Sequence, residues 1–346
     1  MNRYTVVGEI GKGSAGQVSK AIVNGTGETV AIKHIKNRRF TSFGAALAQR
    51  EVNALRRLRH PNILRLLEVI RENEMLFLVL EYADGSLYQW MRARTEPPSE
   101  AMVRTITHRL LLATAHVHKH GFVHRDIKPM NVLVSSGEDD DDHMAIRVKL
   151  CDFGTARELR TASAANEPLT PYVSTRWYRA PEVLLRGPGY SAPVDLWALG
   201  AIIAEIYTLR PLFPGATEID QIDRIANVLG APYDCGVGAH VWVHGCELVK
   251  QHEALHSRSF PRTAPVPLSA VVPQANADGL DLISALLRWD PAKRLTARDA
   301  LRHPFVSSML PLLRYVPLRV RSALLRWARR RRAGKEKVKD AVAPVV

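Results

Sequence analysis

Cysteine is scarce in this chain: Cys151, Cys235 and Cys246 are the three among 346 residues. Three are too few for a disulfide framework at this length, and they fit a reducing compartment better. Long apolar runs are lacking too. No stretch of eighteen residues is free of charge, so no membrane span is expected. The first residues lead directly into Tyr4-Thr-Val-Val-Gly, without the basic and then apolar segments of a secretory leader, so none is expected. Internal repeats are absent as well. What remains is 46% apolar, enough for a sizeable core, and the length suggests one large domain or two lobes.

The net charge is +14, from 48 basic against 34 acidic residues, and it is uneven. Residues 310–346 hold eight Arg and three Lys against Glu336 and Asp340, a local charge of +9. The rest is only mildly basic, so composition does not demand nucleic acid as the main ligand. Strand-like runs at 4–7, 18–23, 29–34 and 76–80 alternate with one helical segment, 45–59, in which Val52, Leu55 and Leu58 recur at helical spacing beside Glu51. Beyond residue 80 the pattern turns helical. Ser99 opens a helix with Val103, Ile106, Leu110, Ala113 and Val117 on one face, ended by Gly121. A second helix, 195–209, is apolar nearly all round and should lie buried. The fold class expected is α+β: a small, mostly antiparallel β lobe at 4–80, a hinge at 81–85, and a larger helical lobe at 86–306. A basic tail, 307–346, follows. Residues 138–142, an acidic run between strand-like 131–134 and 146–150, read as a solvated hairpin tip.

Three glycines stand in Gly11-Lys12-Gly13-Ser14-Ala15-Gly16-Gln17-Val18, after Ile10. At this spacing a turn can approach phosphates and offer them backbone N–H groups. The run lies between two expected strands rather than between a strand and a helix, which argues against a dinucleotide site. Lys33 ends the apolar strand Val30-Ala31-Ile-Lys33; it reads either as a snorkelling surface residue or as a cation for nucleotide phosphates, held by Glu51 of the following helix. The decisive run is His124-Arg125-Asp126-Ile-Lys128-Pro-Met-Asn131, with Asp152-Phe-Gly154 farther on. Asp126 would accept the proton of an attacking hydroxyl, Lys128 would neutralise charge on a moving phosphoryl group, and Asn131 and Asp152 would supply oxygens to Mg²⁺.

Together and in this order these motifs resemble those of eukaryotic protein kinases. Ala180-Pro-Glu182, Asp195-Leu-Trp-Ala-Leu-Gly200, Asp290-Pro-Ala-Lys-Arg294 and His303-Pro-Phe305 extend the resemblance over 4–306, with Arg294 expected to pair with Glu182. Ser174-Thr-Arg176-Trp-Tyr-Arg179-Ala-Pro-Glu182 is similar to the CMGC group. Leu67-Glu-Val-Ile-Arg-Glu-Asn73, Leu87-Tyr-Gln-Trp-Met91, His118-Lys-His-Gly-Phe122 and Leu209-Arg-Pro-Leu-Phe-Pro-Gly-Ala-Thr-Glu-Ile-Asp220 resemble the male-germ-cell-associated/intestinal-cell (RCK) kinase family, between the CDKs and the MAP kinases. The resemblance implies a Ser/Thr kinase using ATP and Mg²⁺, with adenine held by the backbone of Glu81 and Ala83. Val18, Ala31 and Leu133 would sandwich the ring, and Leu80 would stand as gatekeeper. It implies an apolar column of Leu55, Leu66, His124 and Phe153. It also implies Ser/Thr-Pro substrates through Arg176, and activation at Thr170 and Tyr172 by an upstream kinase, with Arg50, Arg125 and Arg157 gathered on phospho-Thr170. The competing reading is a pseudokinase scaffold; Lys33, Asp126 and Asp152 are all present against it.

Some features depart from that family. Met130 stands where Glu is common, Ala15 replaces a glycine-loop Tyr, and twenty residues separate Asn131 from Asp152. Cys235, His240, His244 and Cys246 share one segment, and the His240-x₃-His244 spacing is compatible with zinc, although scattered His and Cys in an exposed loop are the plainer expectation. The tail reads as a lobe-capping helix with a solvated basic end, or as a contact for an import receptor, an anionic surface or a partner. A monomer is expected, in the cytoplasm, with the nucleus or a cilium or flagellum as alternatives.

Overall fold

A computed structural model describes residues 2–13, 16–35, 50–73, 75–135, 143, 145–159, 176–187, 191–232, 242–261 and 263–307. An antiparallel sheet comes first: β1 (Tyr4–Gly13), β2 (Gly16–Val23), β3 (Thr29–Ile35), β4 (Leu66–Glu72) and β5 (Met75–Glu81), in the order β1-β2-β3-β5-β4. β5 lies inside the sheet, which explains its nearly unbroken apolar sequence Met-Leu-Phe-Leu-Val-Leu. Ala21, Val30, Ile32 and Val79 form one buried cluster of this sheet, with Tyr4, Val23, Ile70 and Phe77 packed against it. β4 adds to the strands expected from sequence. It is an edge strand, half-exposed along its length, so Glu68, Arg71 and Glu72 interrupt the apolar signal that strand patterning relies on.

Helix α1 (Arg50–Arg57) lies between β3 and β4 in the chain and buries Glu51, Val52, Ala54 and Leu55. Residues 45–49, the first part of the helix expected there, lie outside the described residues, as do the acidic run 138–142 and the tail from 308.

The larger lobe begins with the two-residue strand β6 (Gly85–Ser86) and α2 (Leu87–Arg92), whose first turn is closed by a reciprocal Ser86–Gln89 capping box. Ser99 caps α3 (Glu100–Lys119) by accepting from the Met102 N–H. Gly121, at φ 78°, then turns the chain into β7 (Phe122–Val123). β8 (Val132–Ser135) and β9 (Arg147–Leu150) form an antiparallel pair, with β6 on the outer side of β8. β10 (Arg157–Glu158) returns to pair with β7. Helices α4 (Pro181–Leu184), α5 (Pro193–Thr208), α6 (Glu218–Leu229), α7 (Val243–His256) and α8 (Ala277–Leu286) follow. Every residue of α5 from Val194 to Tyr207 is buried, as its all-round apolar sequence requires. Pro193 occupies its first turn, where a missing N–H costs nothing. The α+β architecture is therefore the one expected.

Candidate active site

Three charged side chains meet where β3, α1 and the end of β9 converge. Lys33 Nζ lies 2.7 and 2.8 Å from the Glu51 carboxylate oxygens and 3.0 Å from Asp152 Oδ1. Lys33 is 7% exposed and Glu51 2%. Burial works to lower the Lys33 pKa, but the two carboxylates outweigh it and hold the ammonium charged. Burial likewise works to raise Asp152, and Lys33 keeps it below the ordinary carboxylate range. Asp152 has a left-handed backbone, φ 61°, which turns the chain sharply after β9 and directs the side chain back toward Lys33.

The segment after β7 carries the second cluster. Lys128 Nζ donates to Asp126 Oδ2 at 2.7 Å. The Asn131 amide nitrogen donates to Asp126 O at 2.8 Å and to Asp126 Oδ2 at 3.0 Å. With its nitrogen so engaged, Asn131 has its amide oxygen to offer as a ligand. That oxygen and the second Asp152 oxygen are the hard donors that Mg²⁺ takes beside substrate phosphates, so the residues present fit the metal expected.

Backbone contacts hold the two clusters in register. Cys151 N–H donates to Asn131 O at 2.9 Å, and His124 Nε2 donates to Cys151 O at 2.9 Å. The Asp126 N–H donates to His124 Nδ1 at 3.3 Å, so Nδ1 is the accepting nitrogen and Nε2 the donating one. Phe153 stands edge-on to the His124 ring, centroids 4.8 Å apart. Leu55, His124 and Phe153 of the expected column are buried, and Leu66 is half-buried on β4. Thr155 Oγ1 donates to His124 O at 2.9 Å, and Arg125 Nε to Thr155 O at 2.8 Å.

Sequence reasoning took Asp195 only for the start of a helix. Its carboxylate, 1% exposed, accepts from His118 Nε2 at 2.8 Å and from the backbone N–H groups of His124 at 2.9 Å and Arg125 at 2.8 Å. Burial pushes its pKa upward, but these donors prevail and hold it below the usual range. It thereby supports Arg125 at φ 68°, one residue before Asp126. An Asp opening a buried helix whose one other charged residue is Glu205 was the available signal. Glu205 and Gln221 were also missed. Glu205 accepts from Tyr178 Oη at 2.7 Å, and burial pushes its carboxyl up to about 7. Gln221, 0% exposed, accepts from Gly215 N–H at 3.0 Å and donates to Trp177 O at 3.4 Å. Glu182 and Arg294 form a buried two-point ion pair at 2.6 and 2.7 Å.

The expected nucleotide-contacting residues are spread over both lobes. In β1 and β2, Gly11 pairs with Val18, Lys12 with Gln17, and Gly13 with Gly16; Ser14 and Ala15 lie outside the described residues. A Cβ on Gly16 would sit 2.1 Å from His34 O, so only glycine allows β3 this close. Ile10 is exposed, Val18 half-buried, and Ala31 buried opposite Lys20. Leu133 lies across from Ser86 on β8. Glu81 and Ala83 are half-buried; the Glu81 carboxylate accepts from Arg65 N–H at 2.7 Å and pairs with Lys149 at 2.9 Å.

Arg50 is exposed on α1, Arg125 reaches Thr155, and Arg157 pairs with Val123 in the β7–β10 ribbon. Thr170 and Tyr172 lie outside the described residues, as do Cys235 and His240. His244 is exposed, 3.5 Å from Glu247, and Cys246 is half-buried. Among the described residues no group of three His, Cys, Asp or Glu side chains is placed to hold a metal ion. No helix among them is long and apolar enough to cross a membrane.

The family model described as "Protein kinase domain" matches residues 4–306. Serine/threonine-protein kinase MAK of Mus musculus is 45% identical over 305 residues, 88% of this chain and 46% of that protein. Serine/threonine-protein kinase ICK of Mus musculus is 44% identical over 90% of this chain and 46% of its own length. Cyclin-dependent kinase F-4 of Oryza sativa subsp. japonica is 42% identical over 93% of this chain and 64% of its own. The chain thus spans about half the length of its mouse relatives.

Proposed function

The chain belongs to the protein kinase family, in the branch of the MAK and ICK kinases, and from that premise we propose that it transfers the γ-phosphoryl group of ATP to Ser or Thr, followed by Pro, in protein substrates. The observation that carries this reading is the contact of Lys33 with both Glu51 and Asp152, formed beside an Asp126 already bonded to Lys128 and Asn131. Lys33 would hold the α- and β-phosphates. Asp126 would orient the substrate hydroxyl and take its proton, and Lys128 would balance charge on the phosphoryl group as it moves. Asn131 and Asp152 would hold Mg²⁺, which neutralises phosphate charge when bound. The Gly11–Gly16 turn would cover the phosphates, and Glu81 and Ala83 would receive adenine. The catalytic unit in this reading is 4–306, with 307–346 as a tail contacting an import receptor, anionic surface or partner.

Phosphorylation of Thr170 and Tyr172 by an upstream kinase or by the chain itself would switch the enzyme on, with Arg50, Arg125 and Arg157 drawn to phospho-Thr170. Proline after the acceptor brings no N–H to leave unsatisfied, which is the basis for the substrate preference. The test is turnover of matched Ser-Pro and Ser-Ala peptides with ATP and Mg²⁺. Turnover should favour Ser-Pro and fall by orders of magnitude in Asp126→Asn and Asp152→Ala. Equal use of both peptides removes the proline preference; an active Asp152→Ala removes the metal assignment; no turnover by the phosphorylated wild type favours a scaffold.

A further inference from the structure

Arg57 ends α1, about 9 Å along the helix axis from Glu51. Its guanidinium makes two contacts with the β7–β10 ribbon. Nη1 donates to Glu158 Oε1 at 2.8 Å, and the guanidinium carbon lies 4.8 Å from the centre of the Phe122 ring. Glu158 and Phe122 are register partners, so one planar cation spans both members of a single rung. Arginine suits this position because it can stack by its face while donating from its edge; the compact ammonium of lysine cannot do both. Phe122 is 3% exposed while the Arg57 side chain is 45% exposed, so the ring is fixed by the core and the contact has the modest strength of one at the surface.

The rung depends on the chain after Asp152 being laid against β7. Leu159 N–H donates to Gly121 O at 2.7 Å, and Arg125 Nε to Thr155 O at 2.8 Å, in the same stretch. We propose that Arg57 is a positioning residue coupling the placement of α1, and with it the Glu51–Lys33–Asp152 contact, to the pairing of β10 with β7. The proposal rests on the kinase reading of that contact. Glu51 holds the N-terminal end of α1 to Lys33, and Arg57 holds its C-terminal end to the ribbon. When β10 leaves β7, Arg57 loses Glu158 and keeps only the Phe122 face on β7, so an outward swing of α1 is opposed less. In the other direction, an α1 held inward presents the guanidinium on which β10 can settle.

The experiment measures kcat and KM for ATP in Arg57→Ala, Glu158→Gln, the double variant, Arg57→Lys, and the exchanged pair Arg57→Glu with Glu158→Arg. Amide hydrogen exchange over 50–57 is followed alongside. Arg57→Ala should lower kcat/KM for ATP about three- to tenfold. Exchange over 50–57 should quicken while that of α5 stays unchanged. The double variant should lose little more than either single one, Arg57→Lys should fall between wild type and Arg57→Ala, and the exchanged pair should recover part of the loss. Wild-type kinetics and exchange in Arg57→Ala, or fully additive single losses, overturn the coupling. If wild type and all variants fail to turn over ATP, the kinase reading is what fails, and the exchange measurement still decides the coupling.

Discussion

Asp195→Asn is the sharpest test of how the site is held. The substitution keeps the shape of the side chain and replaces one oxygen by NH₂. In the native arrangement Oδ2 faces His118 and the His124 N–H, and Oδ1 faces the Arg125 N–H. Whichever way the amide is turned, its NH₂ meets a backbone N–H. His118 can change tautomer and accept; a backbone amide cannot. One buried donor is therefore orphaned, costing about 1–3 kcal/mol, and the remaining bonds lose their charge assistance, for a total of about 3–5 kcal/mol. In a lobe of this size that should lower the melting temperature by roughly 6 °C or more. The orphaned N–H belongs to His124 or Arg125, next to Asp126, so kcat should also fall at least about tenfold through misplacement of the reacting groups. Asp195→Ala, which leaves room for a water to bridge the same donors, should be no more than modestly worse. Thermal melts and steady-state peptide kinetics on the three proteins settle it. An Asp195→Asn protein within about 1 kcal/mol of wild type and with normal kcat would refute the account.

Glu205 supplies a pH dependence. Folding raises its carboxyl to about 7 from 4.5, chiefly through burial. The folded state thus keeps a proton that the unfolded chain releases, so stability falls as pH rises from about 4.5 to about 7 and stays reduced above, by on the order of 3 kcal/mol. Glu205→Gln still accepts from Tyr178 but does not titrate; its melting temperature should gain on wild type between pH 5 and 7 and then hold level, and a constant offset would count against the argument. Arg294→Ala strands the buried Glu182 carboxylate and should cost about 3–5 kcal/mol by denaturant melt, whereas Arg294→Met with Glu182→Leu should recover part of it, the carbonyls of Arg288, Pro193 and Trp289 still losing their donor; an equally unstable double variant would contradict this. Leu80, 4% exposed and opposite Ala31, should as Leu80→Gly admit bulky adenine analogues that wild type rejects, at about 2–5 kcal/mol in stability; a folded variant that remains insensitive would place the adenine elsewhere.

The sequence alone determined which residues could do chemistry and on what kind of element each would sit. Lys33 on an apolar strand, Glu51 on the next helix, and the runs around Asp126 and Asp152 are legible because spacing along a chain reports local structure, and local structure sets which side chains can face a ligand. The buried helix α5 was legible for a similar reason: a segment apolar on all sides has nowhere to go but the interior. The edge strand β4 was not, because a half-exposed strand need not alternate. Asp195 was not either. Its importance lies in three donors from residues about seventy positions away, and no local pattern encodes which distant backbone amides will face a buried carboxylate. The same holds for Glu205 under Tyr178, for Gln221 between Gly215 and Trp177, and for Arg57 across the β7–β10 rung. Local periodicity fixes elements and candidate groups; only packing of the lobes decides which buried polar atoms must satisfy one another, since that obligation arises when water is excluded from around them.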